Sequence, residues 1–178
     1  MLYARIPMER LGVLIGTEGQ TKKRLEELAG VRISIDSATG DVTIDEAGCA
    51  DPALGLKARD VVLAIARGFS EEKAMKLLED DVFQRILDIK DFAHSRNRRV
   101  QLKGRVIGSG GKTRRLIEEL TGANISVYGH TVAVIGSPLQ LDIASRAVEM
   151  LLQGSEHASV YRYLEKMRPQ LRMEEMGF

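Results

Sequence analysis

Two short glycine loops are the residues most able to do chemistry. Gly108-Ser109-Gly110-Gly111 is followed at once by Lys112, Arg114 and Arg115. Glycine lets one backbone approach another with no Cβ in the way. A helix that begins just after such a turn points free N–H groups at whatever lies there. With the cations added, the arrangement is a cradle for an anion. The second loop, Gly16-Thr17-Glu18-Gly19, is followed by Lys22, Lys23 and Arg24. It is a poorer cradle, because Glu18 places a negative charge where a phosphate would sit. The Gly111-Lys112-Thr113 ending imitates a nucleoside-triphosphate loop. That motif needs glycine five residues before Gly111, and Val106 stands there. His94, His130, His157 and Cys49 are scattered without motif partners. They supply no hydrolytic or metal-ligating pattern, so we expect no enzyme, no cofactor and no metal.

The elements that carry the loops are duplicated. Shifting the sequence by 92 positions matches Gly12 with Gly104, Ile15 with Ile107, Gly16 with Gly108, Gly19 with Gly111 and Thr21 with Thr113. Glu26 and Glu118, Gly30 and Gly122, and Ile33 and Ile125 also coincide. Each copy reads as one series of elements. An opening strand (2–7; 97–103) leads to a short apolar turn and the glycine loop. A helix follows and stops at Gly30 or Gly122. Alternating apolar residues then give a hairpin through Ile33, Val42 and Ile44, and through Ile125, Val132 and Val134. A long helix closes each copy, opened by Asp51-Pro52 or Ser137-Pro138, an N-cap followed by proline. Extra helices are expected over 70–78 and 155–167. The apolar spacing of Val82, Ile86, Ile89 and Ala93 predicts a joining helix. The expected organisation is therefore 1–79, a joining segment 80–96, and 97–178. The methionines Met167, Met173 and Met176 fall in what reads as a frayed end.

Composition bounds the function. The chain has 178 residues, 44% hydrophobic and 29% charged, the balance of a packed globular protein. Aromatic residues make up only 4%, so Leu, Ile, Val, Ala and Met must build the core. A single cysteine excludes an internal disulfide and suits a reducing cytoplasm. No stretch approaches the roughly 18 apolar residues of a membrane span, and MLYARIPMER lacks the apolar core of a signal peptide. Net charge is +1, yet Phe92–Ile117 holds eight basic residues and no acidic one. Elsewhere 18 basic residues face 25 acidic ones. A cationic block on an acidic body is a face for a polyanion.

The run Val106-Ile107-Gly108-Ser109-Gly110-Gly111, then Ile117 and Gly122-Ala-Asn-Ile125, resembles a K-homology (KH) domain. The β-α-α-β-β-α order resembles the type I variant. The resemblance spans both halves and implies an α+β fold of two tandem type I KH domains with extra C-terminal helices. KH domains clamp about four nucleotides of single-stranded nucleic acid with this loop. The stretch GSGGKTRRLIEELTGANISVYGHTVAVIGS is similar to the second KH domain of the archaeal and eukaryotic partner-of-Nob family. The resemblance implies RNA contacts from Arg105, Val106, Ile107, Gly108, Ser109, Gly110, Gly111, Lys112, Arg114 and Arg115. In the first copy it implies Gly16, Thr17, Glu18, Gly19, Lys22 and Lys23. It further implies ribosome assembly in the cytoplasm, on small-subunit rRNA near its 3′ end. The implied partners are a PIN-domain endonuclease and the alpha subunit of initiation factor two. One departure is visible: the position three after the last loop glycine, usually apolar, is Lys22 in one copy and Arg114 in the other. A guanidinium there can stack on a base or pair with a phosphate. Glu18 gives a rival reading, in which the first copy is a protein-docking surface and the chain an adaptor.

Overall fold

The computed structural model describes residues 1–177 and divides the chain into two units, Met1–Val82 and the segment from Phe83 onward. In the first, β1 (Leu2–Arg5) leads through a 3-10 turn into α1 (Leu11–Ile15). The glycine loop, α2 (Gln20–Ala29), β2 (Arg32–Ile35), β3 (Asp41–Asp45) and α3 (Pro52–Ala66) follow, with α4 (Glu71–Met75) appended. β3 is the central strand and runs antiparallel to both neighbours, with Ala4 opposite Val42 and Ile33 opposite Ile44.

The second unit repeats the plan: β4 (Phe83–Asp88), α5 (Arg96–Ile107), the loop, α6 (Lys112–Thr121), β5 (Asn124–Tyr128), β6 (Thr131–Gly136) and α7 (Pro138–Leu152). α8 (His157–Glu175) is appended. β6 is central, between β4 and β5. Both units therefore have the β-α-α-β-β-α order of a type I KH domain.

Two expected elements change identity. Residues 97–103 are helix, not the opening strand. Ser95 caps this helix by accepting from the Arg98 N–H at 3.1 Å, and Leu102 and Val106, one turn apart, are buried on one face. The opening strand lies inside the segment expected as a joining helix. Phe83–Asp88 pairs residue for residue with Gly136–Thr131. Of the residues whose spacing suggested a helix, Ile89 and Ala93 enter the core of the second unit, while Ile86 is 43% exposed. The segment read as a frayed end is helical as far as Glu175. Leu171 is buried, and Glu174 accepts a 2.8 Å hydrogen bond from the Ser137 hydroxyl.

The expected helix starts are present. Asp51 accepts from the Ala53 N–H at 3.0 Å with Pro52 at the first helical position. Ser137 and Gln140 form a reciprocal capping box ahead of Pro138. Packing against these helices fixes the loops. Leu14 and Leu25 flank the first loop, Val106 and Ile117 the second, and all four are fully buried. Each such side chain contributes about 1.5–3 kcal/mol on leaving water. The loop ends are thereby anchored, and only the tips face outward.

Candidate nucleic-acid interface

The second loop is shaped by its first glycine. Gly108 has φ +74° and ψ 172°, a region open essentially to glycine alone. A Cβ there would lie 2.2 Å from Thr113 Oγ1 and 2.7 Å from the Thr113 backbone nitrogen. Thr113 is itself buried, with its hydroxyl 3.3 Å from that of Tyr161. The Gly111 N–H turns back to the Gly108 carbonyl at 3.1 Å and closes the loop. Ser109 and Gly110 are left exposed at the tip, in front of the first turn of α6. The first loop repeats this geometry: a Cβ on Gly16 would lie 2.2 Å from Thr21 Oγ1, and the Gly19 N–H reaches the Gly16 carbonyl at 3.2 Å. Glu18 takes the place of Gly110 at nearly the same angles, φ 55° against 59°. It is the one non-glycine residue with positive φ among the described residues.

The cations divide into held and free. Arg114 Nη1 donates to Glu118 Oε1 at 2.5 Å, and Glu118 Oε2 accepts the Ile125 N–H at 2.9 Å. In the first unit Lys22 lies 3.7 Å from Glu26, whose other oxygen accepts the Ile33 N–H at 2.9 Å. One carboxylate thus ties the cation three places after the loop to the start of the edge strand. Sequence reasoning registered Glu26 and Glu118 only as matched positions. Their spacing of seven residues to Ile33 and Ile125 was the available sign. Lys112 and Arg115 are exposed and have no acidic partner among the described residues; a Cβ on Gly111 would lie 3.0 Å from Arg115 Nη1, so this guanidinium lies over the end of the loop. In the first unit Lys23 is free in the same sense, whereas Arg24 lies 3.6 Å from Glu71, the carboxylate that also accepts from the Thr21 hydroxyl.

Two residues expected to contact RNA are committed to the fold, although Arg105 also lines the open cavity beside Gly108, Ser109 and Lys112. Val106 is wholly buried on the inner face of α5 and serves the core. Arg105 is a clamp: its Nε donates to the Leu151 carbonyl at 3.0 Å and its Nη2 to the Ser155 carbonyl. These carbonyls lie in the last turn of α7 and just past its end, where acceptors have no following helical turn; Leu151 also accepts the Gly154 N–H at 3.2 Å. Arg10 does the same work at the end of α3, donating to the Ile65 and Phe69 carbonyls at 2.9 and 2.7 Å. Burial draws the Arg10 pKa below the usual arginine value, an effect the nearby Glu9 partly offsets. Arg105→Ala should therefore cost about 2 kcal/mol, since hydrogen bonds to charged groups are worth roughly 1.5–3 kcal/mol. Urea unfolding of the full chain measures it. Unchanged stability with weakened RNA binding would return Arg105 to the interface. Ile107, half-buried, and the tip residues Ser109 and Gly110 stay accessible, as do Gly108, Gly111, Gly16, Thr17, Glu18 and Gly19.

Among the described residues no three His, Cys, Asp or Glu side chains converge as a metal site, and no helix is long and apolar enough to cross a membrane. A family model for the second KH domain of PNO1, described as a eukaryotic type KH-domain (KH-domain type I), matches residues 83–169. That match begins on β4. The KH domain-containing protein MJ0443 of Methanocaldococcus jannaschii is 50% identical over 171 residues, which cover 94% of this chain and 74% of that one. The chain belongs to the PNO1, or partner-of-Nob, family of KH-domain proteins. The crystal structure of Dim2p from Pyrococcus horikoshii OT3 is similar to it at 49% identity and a TM-score of 0.86, covering 93% of this chain and 98% of that one. So is the crystal structure of an a/eIF2alpha–aDim2p–rRNA complex from the same organism, at 47% identity and a TM-score of 0.88, with 95% of this chain and 94% of that chain covered. Within this PNO1-family chain the two KH loops share a backbone and differ in charge. The first carries Glu18 at its tip and Glu71 behind it; the second has no acidic residue in its loop.

Proposed function

We propose that this PNO1-family protein binds single-stranded RNA and acts without catalysis in small-subunit ribosome assembly, in the cytoplasm. Its main grip is the Gly108–Gly111 loop, with Lys112 and Arg115 on the phosphates and Ile107 and Arg114 facing the bases. The observation that carries this reading is the pair of unpaired cations on a loop free of carboxylates, at the start of a ten-residue helix. The relative crystallised with rRNA supports it. The finer target, 16S-type rRNA near its 3′ end, rests on the family resemblance. The same rRNA complex contains a/eIF2alpha, which supports the alpha subunit of initiation factor two as a partner. A PIN-domain endonuclease as a further partner rests on the family resemblance alone.

Glu18 and Glu71 favour a second role for the first unit. Its loop repels phosphate more than the second does, so it assists the grip or docks a protein. RNA binding by the full chain tests the main reading. A loop that neutralises about three or four phosphates gives log K against log salt a slope of about −2 to −3, at roughly −0.7 per contact on single strands. Single-stranded RNA carrying the 3′-terminal sequence should bind well above a perfect duplex of the same sequence. Equal affinities, or a flat salt response, would overturn the KH-type grip. Crosslinking in cell lysate should recover small-subunit rRNA; messenger RNA spread evenly would overturn the assembly role.

A further inference from the structure

The helix appended to the second KH unit does more than cover its core. Its first two turns reach both helices that frame the glycine loop. His157, the first residue of α8, sets its Nε2 3.0 Å from the Arg105 carbonyl, in the last turn of α5. That carbonyl has no following helical turn to satisfy it. One turn further along α8, the Tyr161 hydroxyl lies 3.3 Å from the Thr113 hydroxyl, in the first turn of α6. The two rings of α8 are 6.2 Å apart and tilted by 59°, within the range of a favourable aromatic pair. Tyr161 also packs against the core of the second unit, which fixes its ring. Arg105 returns the contact, since its guanidinium holds the Leu151 and Ser155 carbonyls just ahead of α8.

Thr113 is where this support meets the loop. It is 4% exposed and stands so close to Gly108 that a Cβ there would lie 2.2 Å from its hydroxyl oxygen. A buried hydroxyl needs a partner. Threonine in a helix divides between two χ1 rotamers, because its hydroxyl can turn to the carbonyls three or four places back. For Thr113 those carbonyls belong to Gly110 and Ser109, the loop tip itself. Tyr161 offers a partner outside the loop. The first unit uses the same device: Thr21, also buried, donates at 2.9 Å to Glu71, the first residue of its appended helix α4. In both units the appended helix supplies the partner of the loop threonine. In the first unit that partner is a carboxylate; in the second it is a neutral phenol, which puts no negative charge behind the phosphate cradle. We infer that Tyr161 is a positioning residue of the second loop: through Thr113 it fixes Gly108, and with it the tip that meets RNA. The inference rests on the RNA-binding reading above.

The test uses the full-length chain and the single-stranded 3′-terminal RNA. Tyr161→Phe removes the hydroxyl and keeps the ring, so the fold should persist; circular dichroism checks this. The variant should bind the RNA about threefold more weakly, the scale of one net hydrogen bond. Before any RNA is added, the amide resonances of Gly108, Ser109, Gly110 and Gly111 should move in the NMR spectrum, which loss of core packing alone would not do selectively. Thr113→Val should weaken binding by a similar factor. In that background Tyr161→Phe should cost nothing further, because the hydroxyl it serves is gone. Wild-type affinity in Tyr161→Phe, or loop amides that stay in place, would overturn the inference and leave Tyr161 to core packing. A loss that persists undiminished in the Thr113→Val background would also overturn it, by placing Tyr161 on the RNA itself. Wild type that binds no RNA would overturn the underlying reading, and the loop amides would then show separately whether Tyr161 shapes the loop.

Discussion

Replacing Ser109 and Gly110 together by Asp is expected to weaken RNA binding at least tenfold while the second KH unit stays folded. Both residues are exposed at the loop tip, and a Cβ on Gly110 meets nothing within 4 Å. Gly110 does have φ 59°, but Asp is among the residues that tolerate this left-handed region. The first loop demonstrates the tolerance directly, with Glu18 at φ 55°. Two carboxylates would then face the RNA backbone. The α6 N-terminus attracts an anion by only about 0.3–1 kcal/mol at an exposed site. A carboxylate about 4 Å from a phosphate repels it by roughly 1 kcal/mol even at the dielectric of water, and more where water is partly excluded. A net loss of about 1.4 kcal/mol is a factor of ten. The matching change in the first loop, Thr17→Asp/Glu18→Asp, adds one negative charge where the other adds two. It should cost less. Affinities of both variants, with circular dichroism and thermal melting as controls, decide the matter. If the second-loop variant binds like wild type, or the first-loop variant loses more, the assignment of the main grip is wrong.

The loops were legible because local rules govern them. Glycines at matched positions, a proline after each N-cap, and an apolar stripe ending at a glycine are all readable without tertiary contacts. Duplication strengthened each of these signals. It also misled at the start of the second unit. An alignment held at constant offset laid the opening strand of copy one over residues that form α5, because α5 is longer than α1. Val82, Ile86, Ile89 and Ala93 then looked like one helix face, although β4 ends at Asp88 and a turn follows. Short apolar runs carry this ambiguity between helix and strand.

Within the site, charge was legible but its commitments were not. Arg105 and Arg115 are equivalent in a count of basic residues. Only tertiary structure shows that one holds the carbonyls at the end of α7 and the other lies over Gly111. The fork made by Glu118 between Arg114 and the Ile125 N–H likewise needs α6 and β5 side by side. The family resemblance supplied the proposed interface, and burial places Val106 in the core.

Gly108→Ala should be the most damaging single-methyl change in the second unit, and it separates architecture from contact. Alanine at φ +74°, ψ 172° enters a region that costs on the order of 1–3 kcal/mol for a residue with a side chain. The added Cβ also meets Thr113 Oγ1 at 2.2 Å and the Thr113 backbone nitrogen at 2.7 Å. A flexible side chain could turn away from such a contact; a backbone nitrogen in the first turn of α6 cannot. Relief requires moving the start of α6 against the buried Ile117 and Val106. A total loss of about 3 kcal/mol or more is expected, a large part of the roughly 5–15 kcal/mol of a typical domain. With m of about 1–3 kcal/mol/M in urea, the midpoint should fall by about 1 M or more. Gly110→Ala is the control: it has similar positive φ but open space, and should cost about 1–2 kcal/mol. Gly108→Ala/Thr113→Ala removes the hydroxyl clash and leaves both the backbone clash and the φ penalty, so it should recover only part of the loss. Should Gly108→Ala prove no more destabilising than Gly110→Ala, the close approach of α6 to the first loop glycine is not what shapes the cradle.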